Sequence, residues 1–78
     1  MKDKKTLIQE SLMASLTDYY ADNQQAQDYL QTNLSTPQDV STFAVINNID
    51  INYNAPNMQV MTESFKFAIN KKLKKIYG

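Results

Sequence analysis

Apolar positions recur at helical spacing near the start of the chain. Between residues 4 and 21 they fall every three or four positions and share one face of a helical wheel: Ile8, Leu12, Leu16, Tyr19 and Tyr20. This spacing predicts an amphipathic helix. Gln9 also lies on this face and Leu7 lies outside it, so the apolar stripe is not clean. The helix should end near "ADNQQ", where Asp22 or Asn23 can cap the next helix.

Two shorter helices are predicted next. In residues 24–34, "QQAQDYLQTNL", four apolar side chains share a face: Ala26, Tyr29, Leu30 and Leu34. The third helix has a clear start, because Thr36 can be its N-cap, Pro37 its first residue and Asp39 an acid in its first turn. Val40, Phe43 and Ala44 form one face of this helix, whereas Val45 and Ile46 point in other directions. A helix that is apolar all round is expected to be buried.

Residues 45–54 allow either helix or extended chain. "NIDINYN" alternates apolar and polar positions, which is typical of a strand, with Ile49, Ile51 and Tyr53 on one side. We favour helix to about residue 47 and extended chain after it. A lone strand would have no partner, unless it paired with its copy in a dimer.

An asparagine-rich loop is predicted before the last helix. Residues 47–57 contain five asparagines, and asparagine favours turns because its side chain bonds nearby backbone. Pro56 marks the end of this loop and fits the first turn of a helix. Asn54 or Ala55 is then expected to be the cap.

The last helix is predicted to be the longest, from about residue 56 to residue 77. Its apolar stripe contains Met58, Met61, Phe65, Ala68, Ile69, Leu73 and Ile76. The fold class that follows is all-α: a small four-helix domain, residues 1–78, with a long C-terminal amphipathic helix and an Asn-rich loop before it. We expect the core to contain Leu12, Leu16, Leu30, Phe43, Met61, Phe65 and Ile69.

A second apolar strip lies opposite the main stripe of the last helix. Val60 and Phe67 are seven residues apart on this side, beside Lys71 and Lys74. Phe67 is then covered either by the chain's own Asn-rich loop or by another chain. We predict that Val60, Phe67, Lys71 and Lys74 form a partner-binding surface, and that the protein is a homodimer.

The formal net charge of zero conceals three blocks of charge. Residues 1–5 carry +2, residues 6–65 carry −7 with no lysine or arginine, and residues 66–78 carry +5. Every cation is a lysine, and arginine, the usual residue for bidentate recognition of bases and phosphates, is absent. Lysines at the end of the last helix also stabilise it by facing the negative end of its dipole.

The composition argues against catalysis. The chain has no cysteine and no histidine, so it lacks the usual nucleophile, general base and metal ligands. Its only glycine is the terminal Gly78, which excludes a phosphate-binding glycine loop. We therefore predict no enzyme activity, no cofactor and no metal. "DINYN" begins like a calcium loop, but Ala55 and Met61 replace the required glycine and glutamate.

A protein–protein interaction role without catalysis fits these features best. The class we expect is a small regulator, inhibitor or immunity-type accessory factor of the kind carried by phages or plasmids, and no family motif is recognised. No apolar run reaches the roughly 20 residues that span a bilayer, and the lack of cysteine suits the cytoplasm.

Two other roles remain as alternatives. A DNA-binding regulatory protein would use the N- and C-terminal lysines together on the phosphate backbone, although the third helix, placed as a recognition helix, carries no lysine. A membrane-surface anchor would use the basic amphipathic end. The apolar stripe of that end is, however, needed for the core.

Overall fold

The computed structural model describes residues 1–78 as four α-helices without a β-strand. The helices are α1 (Lys4–Tyr19), α2 (Gln24–Asn33), α3 (Pro37–Ile46) and α4 (Met58–Tyr77). This confirms the all-α class and the long last helix. The helix α1 ends two residues before the predicted residue 21, because Tyr20 is already its C-cap.

Each helix begins at a polar residue whose side chain accepts a hydrogen bond from the backbone three residues later. The four N-caps are Asp3, Asn23, Thr36 and Asn57. As the sequence predicts, Thr36 is the N-cap of α3 and Pro37 opens the helix. In addition, Thr36 and Asp39 bond each other's backbone reciprocally. Side-chain caps of this kind satisfy backbone N–H groups that have no partner inside the helix.

The start of α4 differs from the prediction. Neither Asn54 nor Ala55 is the cap, and Pro56 lies outside the helix, since the side chain of Asn57 accepts from the Val60 N–H at 3.1 Å. The N–H groups of Asn54 and Ala55, before the helix, are bonded elsewhere: both donate to Asn52 Oδ1 at 3.0 Å. This turn uses the calcium-like "DINYN" segment as local structure.

A left-handed residue ends α3. Asn48 has φ 56°, and the Ile49 N–H turns back to donate to the Ala44 carbonyl at 2.8 Å. The Asn48 N–H bonds the Val45 carbonyl in the same motif, at 3.3 Å. Asparagine tolerates this conformation better than most residues other than glycine. The chain therefore reverses sharply at residues 47–49.

Residues 49–53 keep their alternation without forming a strand. Ile49, Ile51 and Tyr53 pack partly buried against the core, and the residues between them are exposed. No neighbouring strand supplies backbone partners, so the segment is extended chain lying on the helices.

The core forms where α1 packs on α3 and α4, with α2 packed on α4. All seven predicted core residues are buried. Val45 and Ile46 contradict the expectation of a buried all-round helix, since they are 78% and 67% exposed. The reason is that α3 packs chiefly on α1, and no other element covers its opposite side.

Gln9, on the apolar face of α1, is buried, and its amide nitrogen is hydrogen-bonded. Its amide Nε2 donates to Ser41 Oγ on α3 and to the Tyr53 hydroxyl, and the two hydroxyls lie 3.1 Å apart. A buried amide is tolerated only with such partners. The hydrogen bonds among these three side chains join α1, α3 and the loop that contains Tyr53.

Candidate protein-contact groove on the last helix

An open groove runs between residues 47–50 and the outward side of α4. We call it the α4 groove; it has a volume of about 1070 Å³. Its α4 side includes Val60, Ser64, Phe67, Ala68 and Lys71, and its opposite wall is Asn47–Asp50. It is larger than the pocket on α3 lined by Phe43 and Ile46, which has a volume of about 290 Å³.

Two large apolar side chains on the α4 side of the groove face solvent. Val60 is 58% exposed and Phe67 is 65% exposed. The Asn-rich loop therefore forms the facing wall without covering Phe67, so the alternative in which the loop buries this ring is wrong. Two residues earlier on the same helix, Phe65 is fully buried, stacked on Phe43 with ring centres 5.5 Å apart.

Contacts from the end of α1 fix how α4 is rotated about its axis. The Tyr20 hydroxyl donates to Asn70 Oδ1 at 2.6 Å, and Lys66 Nζ lies 3.8 Å from the centre of the Tyr19 ring. These contacts hold one flank of α4 against α1, and its apolar stripe faces the core. The Val60–Phe67 strip is consequently left outward.

The wall of the groove depends on the left-handed Asn48. Because Ile49 folds back onto α3 at this point, Ile49 and Asp50 come to lie opposite α4. These wall residues were not predicted from the sequence. The dipeptide Asn47–Asn48 at the end of a predicted helix was the available signal, because asparagine often ends helices in this conformation.

The groove carries both signs of charge with a surplus of lysine. Lys71, Lys72 and Lys75 line it together with Asp50 and Glu63. The chain contains two ion pairs, Lys2–Glu10 at 2.7 Å and Lys66–Glu63 at 3.0 Å. The four lysines of the C-terminal end have no ionic partner within the chain: Lys71, Lys72, Lys74 and Lys75.

Three of the four predicted contact residues meet in the α4 groove. Val60, Phe67 and Lys71 line it, and Lys71 Nζ lies 4.6 Å from the centre of the Phe67 ring. Lys74 is exposed on the same helix but does not line the groove. The structure thus brings the apolar pair and one lysine together, with Lys74 adjacent.

The N-terminal lysines lie at the opposite end of α1 from the C-terminal lysines. Lys4 Nζ donates to the Asn54 carbonyl at 3.1 Å, and Lys5 Nζ is 5.4 Å from the Tyr53 ring centre. Tyr20, at the other end of α1, contacts Asn70, just before the C-terminal lysines. At 1.5 Å per residue, the two basic clusters are separated by roughly 24 Å along α1. They do not form one continuous basic patch.

No group of three or more His, Cys, Asp or Glu side chains is placed to hold a metal ion. None of the four helices combines the length and the apolar character needed to traverse a lipid bilayer. Comparison with protein-family models, with curated proteins and with solved structures found no match. The geometry of the chain is therefore the basis for a functional proposal.

Proposed function

We propose that the protein acts without catalysis, by binding a protein partner through the α4 groove. The observation that carries this proposal is the outward position of Val60 and Phe67 beside an open groove on a helix whose other side is core. Exposed aromatic and aliphatic side chains grouped in a concave site are typical of protein contacts. Phe67 is the natural anchor, because aromatic residues at the centre of an interface contribute most to affinity.

The lysines around the groove support the same role. Unpaired charges at the rim of an apolar contact guide the approach and select partners of matching charge. Such a rim would prefer a partner that presents apolar side chains beside carboxylates. The class we propose is a small regulator, inhibitor or immunity-type accessory factor, acting in the cytoplasm, where a chain without cysteine is unaffected by reducing conditions.

The absence of histidine and cysteine from the composition favours binding over bond-making chemistry. The DNA-binding alternative depended on a patch joining both ends of the chain, and the separation of the two lysine clusters weakens it. The C-terminal lysines alone would give weak, salt-sensitive attraction to any polyanion. A binding experiment must therefore distinguish a protein partner from nucleic acid held by these lysines.

Affinity capture from host lysate tests the proposed function. Three N-terminally tagged proteins are compared: the natural chain, Phe67→Asp in the groove, and Val45→Asp as a matched control at an exposed apolar position on α3. We expect a partner that is retained by the natural chain and by Val45→Asp but lost with Phe67→Asp. Equal capture by all three proteins, or capture of nucleic acid that vanishes with moderate salt, contradicts the proposal.

A further inference from the structure

The charges on α4 are divided between its two halves. Glu63, in the first half, is the only acid on the helix; its side chain is 63% exposed and forms an ion pair with Lys66 of the same half at 3.0 Å. Lys71, Lys72, Lys74 and Lys75 all lie in the second half. The first half of α4 is therefore without net charge and the second half carries four lysines, so a reversed copy avoids placing lysine opposite lysine.

Phe67 occupies the middle of this divided surface. Glu63 is four residues before it and Lys71 four residues after it, which is about one helical turn in each direction. Val60 is seven residues before it and Lys74 seven residues after it. These spacings place the acid and the apolar Val60 at one end of the outward strip and the lysines at the other.

We propose that the occupant of the α4 groove is a second copy of this chain, with the two α4 helices antiparallel and the Phe67 rings meeting at the two-fold axis. This inference rests on the proposed function and names the partner of the same surface. In such a contact each residue meets its counterpart across the axis, so one patch serves both copies.

The charge pattern selects the antiparallel arrangement over the parallel one. With the helices reversed, Glu63 of each copy faces the half of α4 that carries Lys71 and Lys74 in the other copy. The aliphatic stem of Lys74 then covers Val60. With the helices parallel, the lysine-rich halves would lie side by side and repel each other.

The mixed charge of the groove also favours a second copy over an acidic partner. Asp50 and Glu63 line the groove together with three lysines. A purely acidic partner would place no cation opposite these two carboxylates, whereas a reversed copy offers side chains of both signs.

The size of the surface predicts a reversible dimer. The helix α4 has 20 residues and is about 30 Å long, and only its outward strip and the wall at 47–50 are available. Such a contact falls at or below the roughly 1,200 Å² that marks the small end of stable interfaces. We expect a dissociation constant on the order of micromolar, raised by added salt as the ion pairs are screened.

Sedimentation velocity over a wide range of protein concentration measures the association. We expect a monomer–dimer equilibrium for the natural chain and for Val45→Asp, and a dissociation constant raised at least roughly tenfold for Phe67→Asp. Circular dichroism of Phe67→Asp checks that the helices remain. A natural chain that is monomeric at every concentration overturns the proposal.

Cysteine cross-linking tests the orientation with Phe67 left intact, in a chain that has no cysteine of its own. The variants are Val60→Cys and Lys74→Cys. In the antiparallel dimer, two copies of either position lie about 21 Å apart along the axis, beyond the roughly 7 Å between Cα atoms that a disulfide bridges. Positions 60 and 74 of different copies lie opposite each other.

Oxidation of a mixture of the Val60→Cys and Lys74→Cys proteins should therefore give a disulfide-linked dimer. Neither variant alone should give one. Cross-linking of each variant by itself indicates parallel helices and overturns the proposal. The failure of this inference is distinct from failure of the proposed function. A strictly monomeric chain that still captures another protein through Phe67 refutes the homodimer alone.

Discussion

The Tyr20 hydroxyl donates a 2.6 Å hydrogen bond to Asn70 Oδ1 and thereby joins the C-cap of α1 to the second half of α4. Tyr20 is the C-cap of α1 and only 4% exposed, while Asn70 lies one turn after Lys66, whose side chain covers Tyr19. This bond helps to hold α4 in the rotation that leaves Phe67 outward. It is also a point at which the stability of the fold can be measured.

Removing the hydroxyl should weaken the fold slightly. We expect Tyr20→Phe to lower the free energy of unfolding by about 1 kcal/mol, since it deletes one hydrogen bond and keeps the buried ring. Asn70 is exposed, so water can replace the lost donor and limits the cost. Urea unfolding followed by circular dichroism measures the change. Tyr19→Phe, at an exposed neighbour, is the matched control and should have no effect.

Alkaline pH should destabilise the protein through the same residue. Burial, with smaller effects from Tyr19 and Glu63, raises the pKa of Tyr20 from 10.0 to about 12. A raised pKa in the folded state means that folding favours the protonated hydroxyl. The contribution of Tyr20 is therefore complete below pH 10.0 and is lost as pH rises towards about 12.

Ultraviolet titration of the tyrosinate band checks this expectation. The natural chain should show a late-titrating fraction that is reduced in Tyr20→Phe. Burial also raises the pKa of Tyr29, so Tyr20→Phe should diminish the late fraction without abolishing it. If Tyr20→Phe instead lost absorbance only from the early phase and kept the late fraction unchanged, Tyr20 would ionise like an exposed tyrosine.

The left-handed conformation of Asn48 predicts different effects on stability for two small substitutions. Asn48→Gly should leave the stability equal or slightly higher, because glycine adopts φ 56° without a steric penalty. Asn48→Ala should lower it by about 1 kcal/mol, because a Cβ disfavours this region. Thermal unfolding of both variants gives the comparison, and a greater loss for glycine than for alanine would contradict it.

The capping box of α3 predicts a measurable loss in Thr36→Ala. The Thr36 side chain accepts from the Asp39 N–H at 3.2 Å, and removing it leaves that N–H without its cap. We expect a loss of about 1 kcal/mol in the free energy of unfolding. Thr17→Ala, at an exposed position inside α1, removes a threonine with no capping role and should give no loss.

The two phenylalanines at positions 65 and 67 should respond in opposite ways to a charge. Phe65→Asp buries a carboxylate in the centre of the core and should prevent folding. Phe67→Asp should change the stability of the monomer by no more than about 0.5 kcal/mol, as at other exposed positions. The measurement is made at low protein concentration, where a reversible dimer is dissociated. Unfolding of both variants would show that the Phe67 ring belongs to the core.

Local sequence signals predicted most of the secondary structure. The capping residues Thr36 and Asn23 and the repeating apolar positions depend on neighbours three or four residues away, so they can be found without knowing the fold. The start of α4 was misplaced because two signals competed. Pro56 favoured an early start, whereas Asn57 provides the cap and Asn52 occupies the backbone before it.

The candidate groove was predicted only in part, for a physical reason. The spacing of Val60 and Phe67 identified an outward strip, but the facing wall at residues 47–50 comes from a distant turn of the chain. Whether the loop covered Phe67 depended on where Asn48 directed it. Val45 and Ile46 were misjudged likewise, because burial depends on which helices pack together and not on the apolar character of one helix.

The sequence by itself determined the all-α class, the identity of the core residues and the lack of histidine and cysteine chemistry, since these follow from composition and from periodicity within single helices. Only the tertiary structure decided which apolar residues remain uncovered, which lysines lie together, and that Phe67 faces an open groove. Those properties arise from packing between segments that are far apart in the chain, such as the end of α1 against α4, and no local pattern specifies them.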